Sequence, residues 1–385
     1  MDKSKSILKI LAIETSCDET SASIVETKLQ IPNPKIQILS NIISSQINLH
    51  RKYGGVFPEI ASRAHAEKII PVVEEALMKC EMGNGKWGNS NPTSHISNID
   101  LIAVTIGPGL IGSLLVGVNF AKTLAFINGK PIIGINHWLG HIYSNFIGEI
   151  RNPKSEIRNH RQSGIPLKRD KSQILNSKFK TPEFPSLNLI VSGGHTGLVL
   201  MENHQDIKEI GQTLDDSAGE AFDKVAAMLG LPYPGGPSIE KEAKNLKPKT
   251  LNLKPIKLPR PMIDSDDFNF SFSGLKTAVL YKVKQLANSL QPTAKNKDKK
   301  AVSRLPLAVS QAIAAEFQQA VIDVLIAKTL KAAHKYRVKS ICLSGGVSAN
   351  SRLRHELESK TLNLTPKTLF FAPAKNLSTD NAAMI

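Results

Sequence analysis

One unit recurs along the chain and restricts the folds open to it: an apolar strand, a short turn of small polar residues, and a strand running back. Residues 8–14 (LKILAIE) read as a central strand, 15–21 (TSCDETS) as a turn holding acids, and 22–25 (ASIV) as the return. The pattern comes again at 187–191 (LNLIV), 192–196 (SGGHT) and 197–200 (GLVL). A third instance, 340–343 (SICL), runs into 344–350 (SGGVSAN) and a basic helix. Short apolar runs bounded by turn residues read as buried strands. Their repetition in both halves points to a duplicated α/β fold with a cleft between the halves. We divide the chain at 1–135 and 136–385. The acid-bearing turn at 15–21 suits a phosphate or metal; a plain hairpin explains it as well.

The stretch with the most chemistry is His137-Trp138-Leu139-Gly140-His141. It follows Pro131–Ile135, another buried strand, and Asn136 stands where a helix N-cap belongs. Imidazoles four residues apart share a helix face, with Cβ atoms about 5–6 Å apart, so both rings can reach one metal ion. The mouth of a strand-to-helix turn is where open α/β sheets hold ligands. Two imidazoles do not complete a site. On these residues alone, a buried structural histidine beside an exposed one explains the pair equally well.

Forty-nine Lys+Arg against 33 Asp+Glu give a net charge of +16. That excess favours polyanions, nucleic acid first. Part of it is local: between Arg151 and Lys180 nine basic residues face two acids, and no apolar periodicity survives. We read 151–183 as a loosely ordered basic insertion, either a polyanion contact or a tolerated surface loop. Apolar runs break well short of the ~20 residues of a membrane span. Three cysteines, none in a CxxC, fit a reducing compartment. The polar Met1–Lys9 is too short for a signal peptide. The expected location is the cytoplasm.

Other stretches give further expectations. Gly107–Ser113 joins a strand (101–106) to an apolar helix (114–126), and its glycines would let backbone approach a ligand; no Gly-Lys-Ser/Thr follows, so it is not a Walker A loop. Residues 215–226 read as a helix with Asp216, Glu220 and Asp223 on one face. Residues 230–237 read as a rigid turn, 268–277 as strand, turn and helix, and 308–335 as a long amphipathic helix.

Taken in order, these blocks resemble one family. Ile13-Glu14-Thr15-Ser16-Cys17-Asp18-Glu19-Thr20 is similar to the opening of the TsaD family, the catalytic subunits of tRNA N6-adenosine threonylcarbamoyltransferase, once described as O-sialoglycoprotein endopeptidases. The similarity continues through GPGLIGSL (107–114), His137…His141, VSGGHT (191–196), AGEAFDK (218–224), YPGGP (233–237), FSFSGLKT (270–277), GGVSANSRL (345–353) and DNAAMI (380–385). The resemblance implies an ASKHA fold (actin/sugar kinase/Hsp70-like), two ribonuclease-H-like domains flanking a cleft. It implies one divalent metal on His137, His141 and Asp380, Fe(2+) ahead of Zn(2+). It implies a threonylcarbamoyl-AMP site at Ile190, Val191, Ser192, Gly193, Gly194, Asp223, Gly236 and Asn350, with Glu240 as a further contact in some members. No side chain declares itself a general base. The implied partners are the tRNA anticodon loop, a paralogous TsaB-like scaffold and a TsaE-like ATPase.

Some positions depart from the family pattern. Gly197 stands where many members have Gln, and Ser217 and Ser348 where Ala is common. The insertion is longer than usual, and members usually continue with a helix beyond the position of Ile385. Three rivals remain. A zincin peptidase needs Glu directly after the first His, where this chain has Trp138. An ASKHA kinase or ATPase would not need the His pair. A non-catalytic scaffold paralogue would lack the metal residues.

Overall fold

The computed structural model describes residues 7–28, 35–81, 96–147, 181–246, 255–289, 305–364 and 367–385. Positions 151–180 of the basic insertion lie outside them. Two five-stranded sheets carry the fold. The first runs β3-β2-β1-β4-β5, with β1 Ile7–Glu14, β2 Glu19–Lys28, β3 Lys35–Ser45, β4 Leu101–Gly107 and β5 Ile132–Asn136. The second runs β10-β9-β6-β7-β8, with β6 Ser186–Val191, β7 Thr196–Met201, β8 Ile207–Gln212, β9 Ser340–Ser344 and β10 Leu369–Phe371. In each, three consecutive strands form an antiparallel meander and two later strands add in parallel beside the first. The duplication expected from the sequence is therefore present strand for strand.

Period-two alternation sends each sheet's larger apolar residues to one face. Leu11, Ile13, Ile24, Ile102 and Val104 meet α2 (Pro58–Glu81) and α3 (Ile111–Ile127), which follow the one-turn α1 (Ile47–His50). Leu187, Leu189, Val191, Leu198 and Leu200 form the larger core, with Phe222, Phe272 and Phe317. That core also holds α5 (Ala218–Met228), α6 (Gly235–Asn245), α7 (Ser273–Ser289), α8 (Leu307–Tyr336) and α9 (Ser351–Thr361).

The opposite faces of the two sheets take exchanged segments. Helix α4 (His137–Tyr143) leaves the first sheet through β5, yet its Ile142 packs against Ile190, Val199 and Met201 of the second. The C-terminal residues 378–385 leave the second half and pack Ala382 on Ala12 and Ala103 of the first. Ala382 N donates to Ser21 Oγ at 2.9 Å, which fixes that crossing.

Four expectations need correction. Helix α8 is not amphipathic: its most apolar stretch is 67% buried, because it lies between the second sheet and α5, α6, α7 and α9. Residues 268–272 keep the period-two burial of a strand, with Phe268, Phe270 and Phe272 in the core, but their backbone pairs only around one bridge, Thr213 to Phe270, so the extended piece does not become a strand. The turn read over 230–237 ends early, because Gly235 and Gly236 open α6; the Asp223 carboxylate accepts the Gly235 N–H at 2.6 Å. Finally, Asp216, Glu220 and Asp223 do not form one acidic face. Asp216 precedes the N-cap Ser217, and both it and Glu220 meet Lys224, whereas Asp223 turns to Gly235.

Candidate metal centre and substrate cleft

The candidate metal ligands are set by local capping. Asn136 Oδ1 accepts the N–H groups of Trp138 (2.9 Å) and Leu139 (3.3 Å), so α4 starts at His137 and points both imidazoles the same way. The rings stand 4.6 Å apart between centroids, at 80°. Asp380 brings its Oδ1 to 3.2 Å from His141 Nε2 and 3.6 Å from His137 Nε2. One ligand atom from each residue falls within 4.8 Å of the others. His141 is 1% exposed, and neither ring nitrogen makes a hydrogen bond. A buried imidazole without an aligned hydrogen bond is costly. Its Nε2 faces Asp380 without hydrogen-bond alignment, as ligands converging on a shared ion do. Two imidazoles and a carboxylate with open positions suit iron(II) or zinc(II). The residues fit the metal.

Behind His137 stands a built second layer. Glu14, fully buried at the end of β1, places Oε2 3.1 Å from His137 Nδ1. Its oxygens also accept from Ser16 N and Thr105 Oγ1, each at 2.5 Å, and Ser16 Oγ lies 3.1 Å from the same Nδ1. This fixes the proton on Nδ1 and turns Nε2 to the metal position. Burial opposes charge on His137, but the Glu14 and Asp380 carboxylates outweigh it and push its pKa up to about 9. Burial would raise Glu14 and Asp380; the imidazoles nevertheless hold both below the usual carboxylate range.

Gly140, between the two histidines, makes room for the segment that carries Asp380. A Cβ there would lie 2.9 Å from Ile385 Cδ1 and 3.2 Å from Met384 O.

The residues expected at the donor site gather on the rim of the second sheet. The β6–β7 turn carries Ser192, Gly193 and Gly194; Ser192 Oγ accepts His195 N (3.1 Å), and Gly219 N donates to Ser192 O (3.2 Å). Ser217 Oγ donates to Gly193 O at 2.6 Å, so this serine ties the turn to α5. Gly345, at φ +85°, brings the β9–α9 turn against Val191 O, where a Cβ would sit at 2.4 Å. Gly193, Gly194, Gly236 and Gly346 face open space. Within the 107–113 turn, Gly109 abuts Ser16 and Gly112 abuts Ser62, so these two glycines admit other protein segments, whereas Gly107 faces open space; Gly117, inside α3, abuts Thr15. Ile190 and Val191 are buried in β6 with side chains in opposite cores, so only their backbone lies near the rim. Asn350 caps α9 through Oδ1, and its Nδ2 donates to Gln318 Oε1 (2.8 Å). Glu240 is taken up by Ser351 and Lys244.

Carboxylates from both halves meet across the cleft. Burial, then Asp380, raises Asp18 to about 6, while Tyr233 of the other half works against that rise. Burial raises Asp223 to about 6, with Asp18 adding to it. His195 stands edge-on to Trp138 at 5.0 Å; burial and the two metal-site imidazoles lower it to about 4. Sequence reasoning missed Glu14, Thr105, Tyr233 and His195 as members of the site. Glu14 carried a signal, a lone acid closing an apolar central strand, because a buried charge must be paired.

Residues 37–156 and 166–385 match the family model described as TsaD: tRNA N6-adenosine threonylcarbamoyltransferase. The chain belongs to the TsaD family. Among its relatives, the tRNA N6-adenosine threonylcarbamoyltransferase of Moorella thermoacetica is 44% identical over 379 residues, covering 98% of this chain and 89% of that one. The Bacillus subtilis enzyme of the same name is 44% identical, covering 98% and 88%. A crystal structure of full-length HypF superposes with a TM-score of 0.51 at 12% identity, covering 99% of this chain and 54% of that one. It supports the ASKHA-type fold alone. The chain is a transferase of the TsaD family, with tRNA as the substrate the family implies.

Proposed function

We propose that this enzyme transfers the threonylcarbamoyl group of threonylcarbamoyl-AMP to N6 of adenosine 37, 3′ of the anticodon, in tRNAs reading codons that begin with A. The observation that carries the reading is the His137, His141 and Asp380 set, with its orphaned buried His141 nitrogens, beside a glycine rim open to solvent. A metal bound there, iron(II) ahead of zinc(II), would supply Lewis acidity to the donor's oxygens. His137, His141 and Asp380 hold it; Glu14 keeps the proton of His137 on Nδ1. The rim glycines offer room and N–H groups to the adenylate, with Asp223 and Asn350 alongside. The adenosine amine attacks the carbamoyl carbon, the carbon–oxygen bond to phosphate breaks, AMP leaves and the amine gives up a proton. Because that amine is a poor nucleophile, orientation carries much of the rate. An anticodon loop presents its base unpaired, so no duplex has to melt.

We propose that the chain works in the cytoplasm with a TsaB-like scaffold and a TsaE-like ATPase. Ile111, Leu115 and Phe126 on α3, and Ile132 and Ile133 on β5, are exposed, an apolar surface suited to a protein partner. The test is reconstitution with tRNA, threonine, bicarbonate, ATP and the companion enzymes, followed by nucleoside analysis. Modified adenosine is expected. Its absence, with ATP turnover indifferent to tRNA, would favour an ASKHA kinase or ATPase and overturn the reading.

A further inference from the structure

Arg354 lies one turn into α9 and has no carboxylate within ion-pair distance among the described residues. Burial lowers its pKa, and Glu358 acts on it only through space. Its guanidinium is spent on neutral acceptors from three places. Nε donates to Ser348 O at 3.1 Å, Nη1 to Pro373 O at 2.9 Å, and Nη2 to Ser378 Oγ at 3.2 Å. Ser348 belongs to the turn between β9 and Asn350, whose Gly346 faces open space. Ser378 is fully buried, and its hydroxyl donates a hydrogen bond to Ala374 O at 3.2 Å. Two residues further on is Asp380. Beyond Asp380 the chain is pinned to the other half through Ala382 N and Ser21 Oγ.

A rigid planar fork with five donors spans such separated acceptors, whereas a lysine ammonium is a point donor. Asp380 is thus held on one side by Ser21 and on the other by Arg354, and Arg354 also holds the glycine turn. We infer that Arg354 is a positioning residue that couples the Gly345–Asn350 turn to the strap bearing Asp380, so that filling the metal site tightens the turn. The inference rests on reading this turn as part of the adenylate site, and adds that the metal and the adenylate sense each other. By linkage the effect is reciprocal.

The experiment is hydrogen exchange on the full chain, metal-free and with zinc(II), with bound zinc counted in the same samples. In the wild type, zinc should slow exchange in the strap, residues 376–382, and in the turn, residues 346–350, by about fivefold or more. In Arg354→Ala the strap should still respond and the turn should not. Ser378→Ala removes only the hydroxyl that receives Nη2, so it keeps the test alive if Arg354→Ala fails to fold; it too should lose the response at the turn. Arg354→Lys should fold and behave like Ala, because one ammonium cannot bridge both sides. Zinc bound with the wild-type turn unmoved, or a turn that still responds in Ser378→Ala and Arg354→Lys, overturns the inference. No zinc bound overturns it together with the metal reading above, and the zinc count separates the two failures.

Discussion

Glu14→Gln isolates the layer behind the metal. The substitution keeps shape and volume at a fully buried position and removes one charge and one acceptor. Oε1 accepts from Ser16 N, while Oε2 accepts from Thr105 Oγ1 and faces His137 Nδ1. A glutamine has a single oxygen to offer. If that oxygen stays on Ser16, the amide N–H₂ faces Nδ1, which must then accept. The His137 proton moves to Nε2, where the metal would bind. If the oxygen instead faces His137, the amide opposes the Ser16 N–H, and a buried donor goes unpaired at about 1–3 kcal/mol. Both arrangements weaken the site. Loss of a second-layer partner typically costs about 10- to 100-fold in metal affinity, or about 1.4–2.7 kcal/mol. Chelator competition with zinc(II) measures this, and circular dichroism melting checks the fold. A zinc affinity within about twofold of wild type, in folded Glu14→Gln protein, would refute the assignment of Glu14 as the group that sets the tautomer.

Other outcomes follow from the same geometry. His141→Ala should abolish transfer and the tight zinc site while the protein stays folded, since the one hydrogen bond made at this residue by a side chain, from Ser144, uses the backbone oxygen. Retained transfer would sink the metal assignment. Gly140→Ala should turn the Ile385 side chain aside and shift the Met384 backbone by a few tenths of an ångström, costing about 1 kcal/mol and weakening zinc binding modestly, as read from melting and competition. An unchanged melting temperature would mean that the strap does not lie as described. The pH dependence has two opposite signs. In metal-free protein the folded pKa of His137 is raised from 6.5 to about 9, so its stabilisation is full below 6.5 and is lost as pH rises through about 9. Zinc binding must expel the Nε2 proton, so affinity should rise with pH until about 9 and then level. Denaturant titrations and zinc competition across that window test both, and a flat profile in either contradicts the raised pKa.

The duplication could be read from the sequence because its strands are short apolar runs closed by small polar turns, and such runs leave little choice of register. The His pair could be read because helix spacing is local and Asn136 marks its start. Asp380 could not be found by spacing: it lies more than 200 residues along the chain, and only the family resemblance supplied it. Glu14, Thr105 and Tyr233 stayed hidden for a related reason. Each acts through a partner brought near by sheet pairing or by closure of the cleft, and neither leaves a period in the sequence. The glycine turns misled in one place. Gly-rich sequence does not say whether the close neighbour is a ligand or the protein itself, and at Gly109 and Gly112 it is the protein. Amphipathicity misled in another, because α8 is covered on several sides and its polar positions are partly buried, Lys328 fully so with its ammonium held by Ser265 and Asp267.

The placement of the candidate metal ligands follows from the exchange of segments between the halves. Helix α4 follows the first sheet in the chain and packs on the second; the strap follows the second and packs on the first. The imidazoles and the carboxylate therefore meet where the two crossings pass, and Gly140 lies against Met384 and Ile385 there. A site built this way reports the relation between the halves. If the strap slips, Asp380 leaves the imidazoles, and His137 loses one of the two carboxylates that hold its proton. Each hairpin turn then serves one side of the site: Glu14 and Ser16 at the β1–β2 turn support the metal ligand, and the open glycines of the β6–β7 turn face the space where a donor would lie. On the proposed reading, the same topology, used twice, would hold the metal with one copy and make room for the substrate with the other.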